Sequence, residues 1–178
     1  MAKLKVAELG NPVLRKRATK VDARDVSTSE IQTLIDDLIE TMHEYEGAGL
    51  AAPQVHSSRR VVVFEVKNNS RYPEAPNIPL TIAINPEIEV LTREKLGMWE
   101  GCLSVPGIRG YVERPSKLKL KALDRNGEVY EQVLDGFSAV VIQHECDHLR
   151  GKVYLDRMKN LLTLTHSKEF DRYWSDEA

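Results

Sequence analysis

The sequence predicts an α+β protein in which mixed or antiparallel sheets pack around a central helix. Apolar strand patterns fall mainly between two helical patterns, without the regular alternation of strand and helix that marks βαβ units. Apolar residues make up 42% of the 178 residues and charged residues 29%, which is typical of a globular protein with a real core. Because no repeat or linker divides the chain, we expect one domain over residues 1–178.

The first helix is predicted over residues 27–45. Its apolar residues recur three and four positions apart, and Ser27 with Glu30 forms a candidate capping box. Gly47 and Gly49 are expected to end it.

A second helix is predicted over residues 137–150. Asp135 or Gly136 is expected to start it and Gly151 to stop it. A short third helix is expected within residues 166–174.

Strand patterns cover much of the middle of the chain. They are predicted at residues 60–66, at 80–90 with an interruption near Pro86, and in a hairpin of 117–123 and 128–134. The polar, proline-bearing stretch 68–79 predicts a surface loop.

Charge and hydropathy exclude several classes of protein. A net charge of −2 gives no global attraction to nucleic acid or to anionic membranes. No run of apolar residues is long enough to cross a bilayer, and the first residues lack the apolar core of a secretory signal. We expect a cytoplasmic protein without membrane contact, although a trimmed organellar protein fits equally. Two cysteines in such a chain predict thiols rather than a disulfide.

A candidate metal site lies in the second predicted helix. His144-Glu145-Cys146-Asp147-His148 is an HExxH sequence, and positions four apart project from one face of a helix. One metal ion can therefore take both imidazoles. Glu145 lies beside these ligands, where it can take a proton from a water held by the metal.

The residues alone leave the third metal ligand open. Tyr154 stands where metzincin-type proteases have their third histidine, so that arrangement does not fit. Glu169 lies at a separation that suits a zincin-like metallopeptidase. Cys102 offers a thiolate from an extended stretch, whereas Cys146 lies on a different helix face from the histidines. A metal-stapled binding module is a further alternative, but three candidate ligands leave the open position of a catalytic site.

Three segments in this order resemble the peptide deformylase family. Residues 47–54 (GAGLAAPQ) resemble its GxGLAAxQ motif, residues 100–104 match EGCLS, and residues 143–151 (QHECDHLRG) match QHExDHLxG. Residues 11–15 and 155–158 are similar to the flanking segments. The resemblance covers about residues 6–158, and residues after about 160 carry no family motif.

The resemblance implies a function and a set of site residues. The expected activity is removal of the N-formyl group from formyl-methionine of nascent polypeptides, with release of formate. Glu145 becomes the catalytic acid and base, and the oxyanion donors are the side chain of Gln54 and the backbone N–H of Leu103. The implied metal ligands are Cys102, His144 and His148, and Glu100 is expected to form an ion pair with Arg114.

A substrate pocket is expected beside the metal. The resemblance places Gly47, Ala48 and Gly49 against the substrate, where glycine lets backbones approach closely. Helical spacing places Phe137, Val140 and Val141 on the face of His144, where they are expected to wall an apolar pocket for methionine.

The ligand types and the family resemblance indicate different metal ions. One sulfur and two nitrogens suit zinc. The resemblance implies one iron(II) per chain, with nickel, cobalt or zinc able to substitute, and we expect iron. Contact with the ribosome near its exit tunnel is a further expectation, without direct binding to nucleic acid.

Overall fold

The structure, a computed structural model, describes residues 2–67 and 75–175. Its helices are α1 (Ser29–Glu44), α2 (Gly136–His148) and α3 (Ser167–Tyr173). Its strands are β1 (Gly49–Ala51), β2 (Val61–Val66), β3 (Ile78–Val90), β4 (Lys95–Cys102), β5 (Val105–Pro115), β6 (Lys117–Leu123), β7 (Val129–Asp135) and β8 (Leu164–His166). None of the described helices is long and apolar enough to cross a membrane.

The strands form two antiparallel sheets. The larger sheet has the order β1-β2-β3-β6-β7 and the smaller one the order β4-β5-β8. The α+β class with antiparallel sheets is therefore confirmed. Among the described strands, β1 and β4 each lie at an edge, so each has backbone groups that none of these strands pairs.

Helix α1 covers the larger sheet with one apolar face. Its buried residues, which include Ile35 and Leu38, pack with Val61 and Val63 of β2. The predicted capping box is wrong, because the N-cap is Thr28 and no side chain caps the helix. At the other end, Glu46 takes the left-handed conformation, with φ of 52°, before either glycine is reached.

Helix α2 is buried on almost all sides, since ten of its 13 residues are buried. It contacts β1, β2, β3, β6 and β7 of the larger sheet and β5 of the smaller one. Gly136 begins it and Gly151, with φ of 73°, follows its end, as predicted. A side chain on Gly151 would also meet the Arg15 carbonyl oxygen at 2.6 Å. This burial brings charged side chains of α2 into the interior.

Two parts of the strand prediction need correction. Strand β3 runs on past Pro86, with a bulge between Ile84 and Glu87 in place of the expected interruption, and Asn85 has φ of 54° there. The predicted loop at 68–79 lies partly outside the described residues, and β3 already begins at Ile78. The smaller sheet was not predicted as strands, because glycines interrupt the apolar alternation of β4.

Candidate metal centre

Three potential metal ligands meet between the two sheets. Cys102 ends β4, while His144 and His148 lie one turn apart on α2. Their ligand atoms all lie within 4.8 Å of one another, and Cys102 Sγ is 3.4 Å from His148 Nε2. One sulfur and two imidazole nitrogens form a donor set that suits a transition metal and leaves a fourth position open.

The orientation of His144 also fits a metal ligand. Its Nδ1 lies 2.8 Å from Glu100 Oε2, which leaves Nε2 for the centre of the cluster. A carboxylate behind the ring is the usual support of a metal-bound histidine.

The cluster favours the ligand form of the cysteine. Burial alone would raise the pKa of the Cys102 thiol, but the neighbouring His148 and His144 outweigh it and hold this pKa well below its usual range. For His144, burial by itself would lower the pKa. The neighbouring Cys102 and Glu100 outweigh burial and raise this pKa well above its usual value. A thiolate is the form that binds metal ions.

Glu145 is a buried carboxylate beside this cluster. Burial raises its pKa to about 7, against the opposing effect of His144 and His148. Its Oε2 atom has no hydrogen-bond partner among the described residues. A buried oxygen without a partner is costly, so it is suited to a proton or a water that the site must supply.

The amide of Gln54 is held in one orientation. Its Oε1 accepts a hydrogen bond from the Ala51 N–H at 2.9 Å, and its Nε2 donates to Ser104 Oγ at 3.1 Å. The same Nε2 lies 3.6 Å from Cys102 Sγ, so a donor faces the cluster. Sequence reasoning did not single out Ser104, although it lies within the EGCLS motif.

A buried ion network supports the cluster from behind. Arg114 donates to Glu100 Oε1 at 2.6 Å and Oε2 at 3.0 Å, and to Asp147 Oδ2 at 2.9 Å. Arg157 also donates to Asp147. Burial by itself would raise the pKa of Glu100 and of Asp147. His144 and Arg114 instead hold the pKa of Glu100 below its ordinary value, and Arg157 and Arg114 do the same for Asp147. Sequence reasoning missed Asp147 and Arg157. Their positions could have indicated a role, because Asp147 lies within the HExxH sequence and Arg157 lies shortly after it.

A cleft opens in front of the ligands. All six residues that the sequence predicts for substrate binding line it, together with Gln54, Leu103 and Glu145. Met98 and Trp99 also line it, and sequence reasoning missed both because β4 was not recognised as a strand.

The other candidate ligands lie elsewhere. Glu169 is exposed on α3, where it faces Arg172 at 3.7 Å. Cys146 packs in the core, burial raises the pKa of its thiol to about 12, and neither cysteine forms a disulfide. The buried ring of Tyr154 stacks on His144, with 6.1 Å between centroids. None of these belongs to the cluster of three ligands.

The class of protein that this fold and site define is that of metal-dependent hydrolases. Three protein ligands leave one position facing a cleft, as hydrolytic metal centres require. A family model described as polypeptide deformylase matches residues 3–163. The chain belongs to the peptide deformylase family.

Individual relatives agree with this membership. Peptide deformylase of Leptospira biflexa is 44% identical over 172 residues, which is 96% of each chain. Peptide deformylase 1 of Bordetella pertussis is 45% identical over 156 residues, 88% of each. The class I type b enzyme of Acinetobacter baumannii, solved with Met-Ala-Ser bound, has a TM-score of 0.85 at 41% identity and covers 88% of this chain and 99% of its own.

Proposed function

We propose that the protein removes the formyl group from formyl-methionine at the start of newly made polypeptides and releases formate. The single observation that carries the proposal is the cluster of Cys102, His144 and His148, which lies in an open cleft beside Glu145. Oε2 of that carboxylate has no hydrogen-bond partner in the part of the chain that the structure describes. Family membership supports the substrate, because the relatives are named peptide deformylases.

The proposed cofactor is one iron(II) per chain, held by Cys102, His144 and His148. When bound, the ion supplies Lewis acidity that makes a water acidic and polarises the formyl carbonyl group. The donor set by itself also suits zinc, and nickel or cobalt is expected to substitute.

Glu145 is the proposed proton carrier. Its carboxylate takes the proton from the attacking water and then passes it to the leaving amine, so the residue acts first as base and then as acid. Burial raises the pKa of this carboxyl group, which favours the protonated form that the second step needs.

Negative charge develops on the formyl oxygen during the attack. Gln54 Nε2 is fixed by the bonds of its amide to Ala51 and Ser104, so this donor needs little reorganisation. The backbone N–H of Leu103, at the rim of the same cleft, is the proposed second donor.

Two edge strands suit an extended peptide substrate. β1 and β4 are edges of different sheets, and residues of both line the cleft. A peptide laid between them would pair its backbone with theirs. Its methionine side chain would enter the apolar wall of Phe137, Val140 and Val141, where an unbranched thioether fits an irregular slot.

The wider setting is part of the same proposal. Residues 1–178 act as one catalytic domain, with α2 and its HExxH sequence as the central helix. The contacts of α2 with strands of both sheets support this arrangement. The bacterial relatives support a cytoplasmic location. Contact with the ribosome near its exit tunnel would place the enzyme where its substrates emerge.

The test is made on protein purified without air. Metal analysis identifies the ion, and the protein is then given formyl-Met-Ala-Ser and an unformylated peptide with internal bonds. We expect release of formate and no internal cleavage. Glu145→Gln should keep its metal and retain only a small residual turnover. Internal cleavage would favour the zincin-like alternative, and absence of any activity in metal-loaded protein would favour a binding module.

A further inference from the structure

The two proposed oxyanion donors belong to different sheets. Gln54 lies in the 3-10 turn Ala52–Val55 that follows β1 of the larger sheet. Leu103 lies in the turn between β4 and β5 of the smaller sheet, directly before Ser104. The distance between the two donors therefore depends on how these two turns are joined.

An extended segment near the start of the chain joins the two turns. The Ala7 N–H donates to the Gln54 carbonyl oxygen at 2.7 Å, and the Leu9 N–H donates to the Ser104 carbonyl oxygen at 2.7 Å. We call residues 7–9 the N-terminal bridge. Three consecutive residues thus bind the backbone of both turns, in addition to the side-chain bond from Gln54 Nε2 to Ser104 Oγ.

Contacts on both sides hold the N-terminal bridge in place. Before it, the Leu4 N–H donates to Thr41 Oγ1 of α1 at 2.9 Å. At its end, the Asn11 N–H donates to the Glu8 carbonyl oxygen at 2.9 Å, and Gly10 has the positive φ of 102° that this turn requires. The bridge is therefore held in one position relative to α1 and to both turns.

The carbonyl groups that the bridge binds lie in the interior. Ser104 is 0% exposed and Gln54 is 2% exposed, so neither carbonyl oxygen is open to bulk water. A buried carbonyl group that loses its donor is unfavourable, and the turn that carries it would move to find another. Movement of the Ser104 turn would shift the Leu103 N–H and the oxygen that accepts from Gln54 Nε2 together.

We propose that the N-terminal bridge is a positioning element for the oxyanion donors, with Leu9 acting through Ser104 and Ala7 acting through Gln54. The inference rests on the proposed function, and it assigns a role in that reaction to residues outside the three motifs. Donors that face charge present only in the transition state change kcat and leave substrate binding nearly unchanged. A displaced bridge should therefore lower kcat rather than raise KM.

Leu9→Pro tests this role, because proline has no N–H to donate. Leu9 is the second residue of the turn that Gly10 continues with positive φ, and proline is common at that position, so the turn itself should remain. We expect kcat for formyl-Met-Ala-Ser to fall about fivefold or more, with KM changed less than about twofold and metal content unchanged. A wild-type kcat in this variant would overturn the proposal.

Two further variants separate the lost N–H from other effects of proline. Leu9→Ala changes a side chain that is 45% exposed but keeps the N–H, so it should restore kcat to within about twofold of wild type. Lys5→Pro places proline before the bridge, at an N–H that makes no hydrogen bond with the described residues, and should leave kcat unchanged. Equal losses in Leu9→Pro and in either of these variants would overturn the inference.

A double variant tests whether the bridge acts through the donors. In Gln54→Ala one of the two donors is absent, so their spacing no longer matters, and adding Leu9→Pro should lower kcat by less than about twofold more. A full additional loss would show that the bridge acts elsewhere and would overturn the positioning role.

A second replacement keeps the proposal testable if Leu9→Pro does not fold. The α-hydroxy acid analogue of leucine at position 9 replaces the N–H by an ester oxygen and keeps the side chain. We expect this ester to lower kcat about threefold or more, and the corresponding lysine analogue at position 5 to leave kcat unchanged. A wild-type kcat with the ester at position 9 would overturn the proposal.

These measurements separate the inference from the function on which it rests. If metal-loaded wild type releases no formate from formyl-Met-Ala-Ser, the proposed function fails. If wild type is active and both replacements at position 9 keep its kcat, only the positioning role fails.

Discussion

Gly49 lies directly against Glu145, because a Cβ atom on Gly49 would come within 2.6 Å of Glu145 Oε1 and 2.9 Å of its Cγ. Because Gly49 of β1 has no side chain, the buried carboxylate of Glu145 on α2 can occupy the space beside it. The glycine is required here for close approach rather than for an unusual backbone conformation.

Gly49→Ala is expected to displace the Glu145 carboxylate and lower kcat more than tenfold without loss of metal. Steady-state kinetics with metal analysis measure both quantities. If the effect acts through Glu145, the same change made in Glu145→Gln should cause almost no further loss. A full additional loss in the double variant would show that Gly49 acts independently.

The two cysteines are expected to differ in their effect on metal content. Cys102→Ala should abolish tight binding, and the sulfur-to-metal charge-transfer band of cobalt-substituted protein should disappear with it. Cys146→Ala is the matched control, because its thiol lies in the core and its loss should cost only about 1 kcal/mol of stability. A band that survives Cys102→Ala would contradict the ligand assignment.

Arg114 is expected to stabilise the centre more than Arg157 does. Arg114→Met leaves Glu100 without its bidentate partner and weakens the neutralisation of Asp147, at a cost of about 3–5 kcal/mol. It should also lower metal affinity about 10- to 100-fold through the orientation of His144. Arg157→Met should cost less, since that side chain is 36% exposed and Arg114 remains on Asp147. Denaturant unfolding and metal titration compare the two variants, and equal losses would contradict the ranking.

The apolar wall of the cleft is expected to select methionine. Val140→Asp should lower kcat/KM for formyl-Met-Ala-Ser more than tenfold with metal still bound, because a carboxylate replaces an apolar contact. Val133→Asp, on the exposed edge strand β7, is the control and should have no effect on activity. Wild type should cleave a formyl-Asp peptide poorly and acetyl-methionine far more slowly. Equal rates on formyl-Met and formyl-Asp peptides would mean that this face of α2 does not line the pocket.

Tyr130 is expected to reduce stability at alkaline pH. Burial raises the pKa of its phenol to about 12, and its O–H donates to the Ile82 carbonyl oxygen at 2.9 Å. Above pH 10 the unfolded chain releases this proton while the folded protein keeps it, so stability falls between pH 10 and 12 and is unaffected by this group below pH 10. Tyr130→Phe should flatten that part of the curve in unfolding measured from pH 8 to 12. An unchanged slope would show that other groups cause the decline.

Residues close in sequence allowed much of the site to be predicted. Helical spacing places His144 and His148 on one face and Phe137, Val140 and Val141 around it, because the rise and turn of a helix fix which residues are neighbours. The stop after α2, which ends at His148, was predicted in the same way, because Gly151 tolerates the positive φ found there. The three short motifs that resemble one family then indicated which role to expect for each residue of the site.

Contacts between distant segments depended on the tertiary structure. Cys102 and His148 are 46 positions apart, and only the packing of the smaller sheet against α2 brings them to 3.4 Å. The same packing decides that Cys102, and neither Glu169 nor Cys146, joins the two histidines. Strand β4 escaped prediction because Gly97 and Gly101 interrupt its apolar alternation.

The sequence by itself determined the helices, the hairpin of β6 and β7, the histidine pair and the family resemblance, since each depends on residues within a short stretch of chain. Only the tertiary structure decided how Arg114 joins Glu100 to Asp147 and how α3 reaches Trp99. The physical reason is that these contacts join segments whose approach depends on the packing of whole sheets and helices. No local pattern in the chain records that packing.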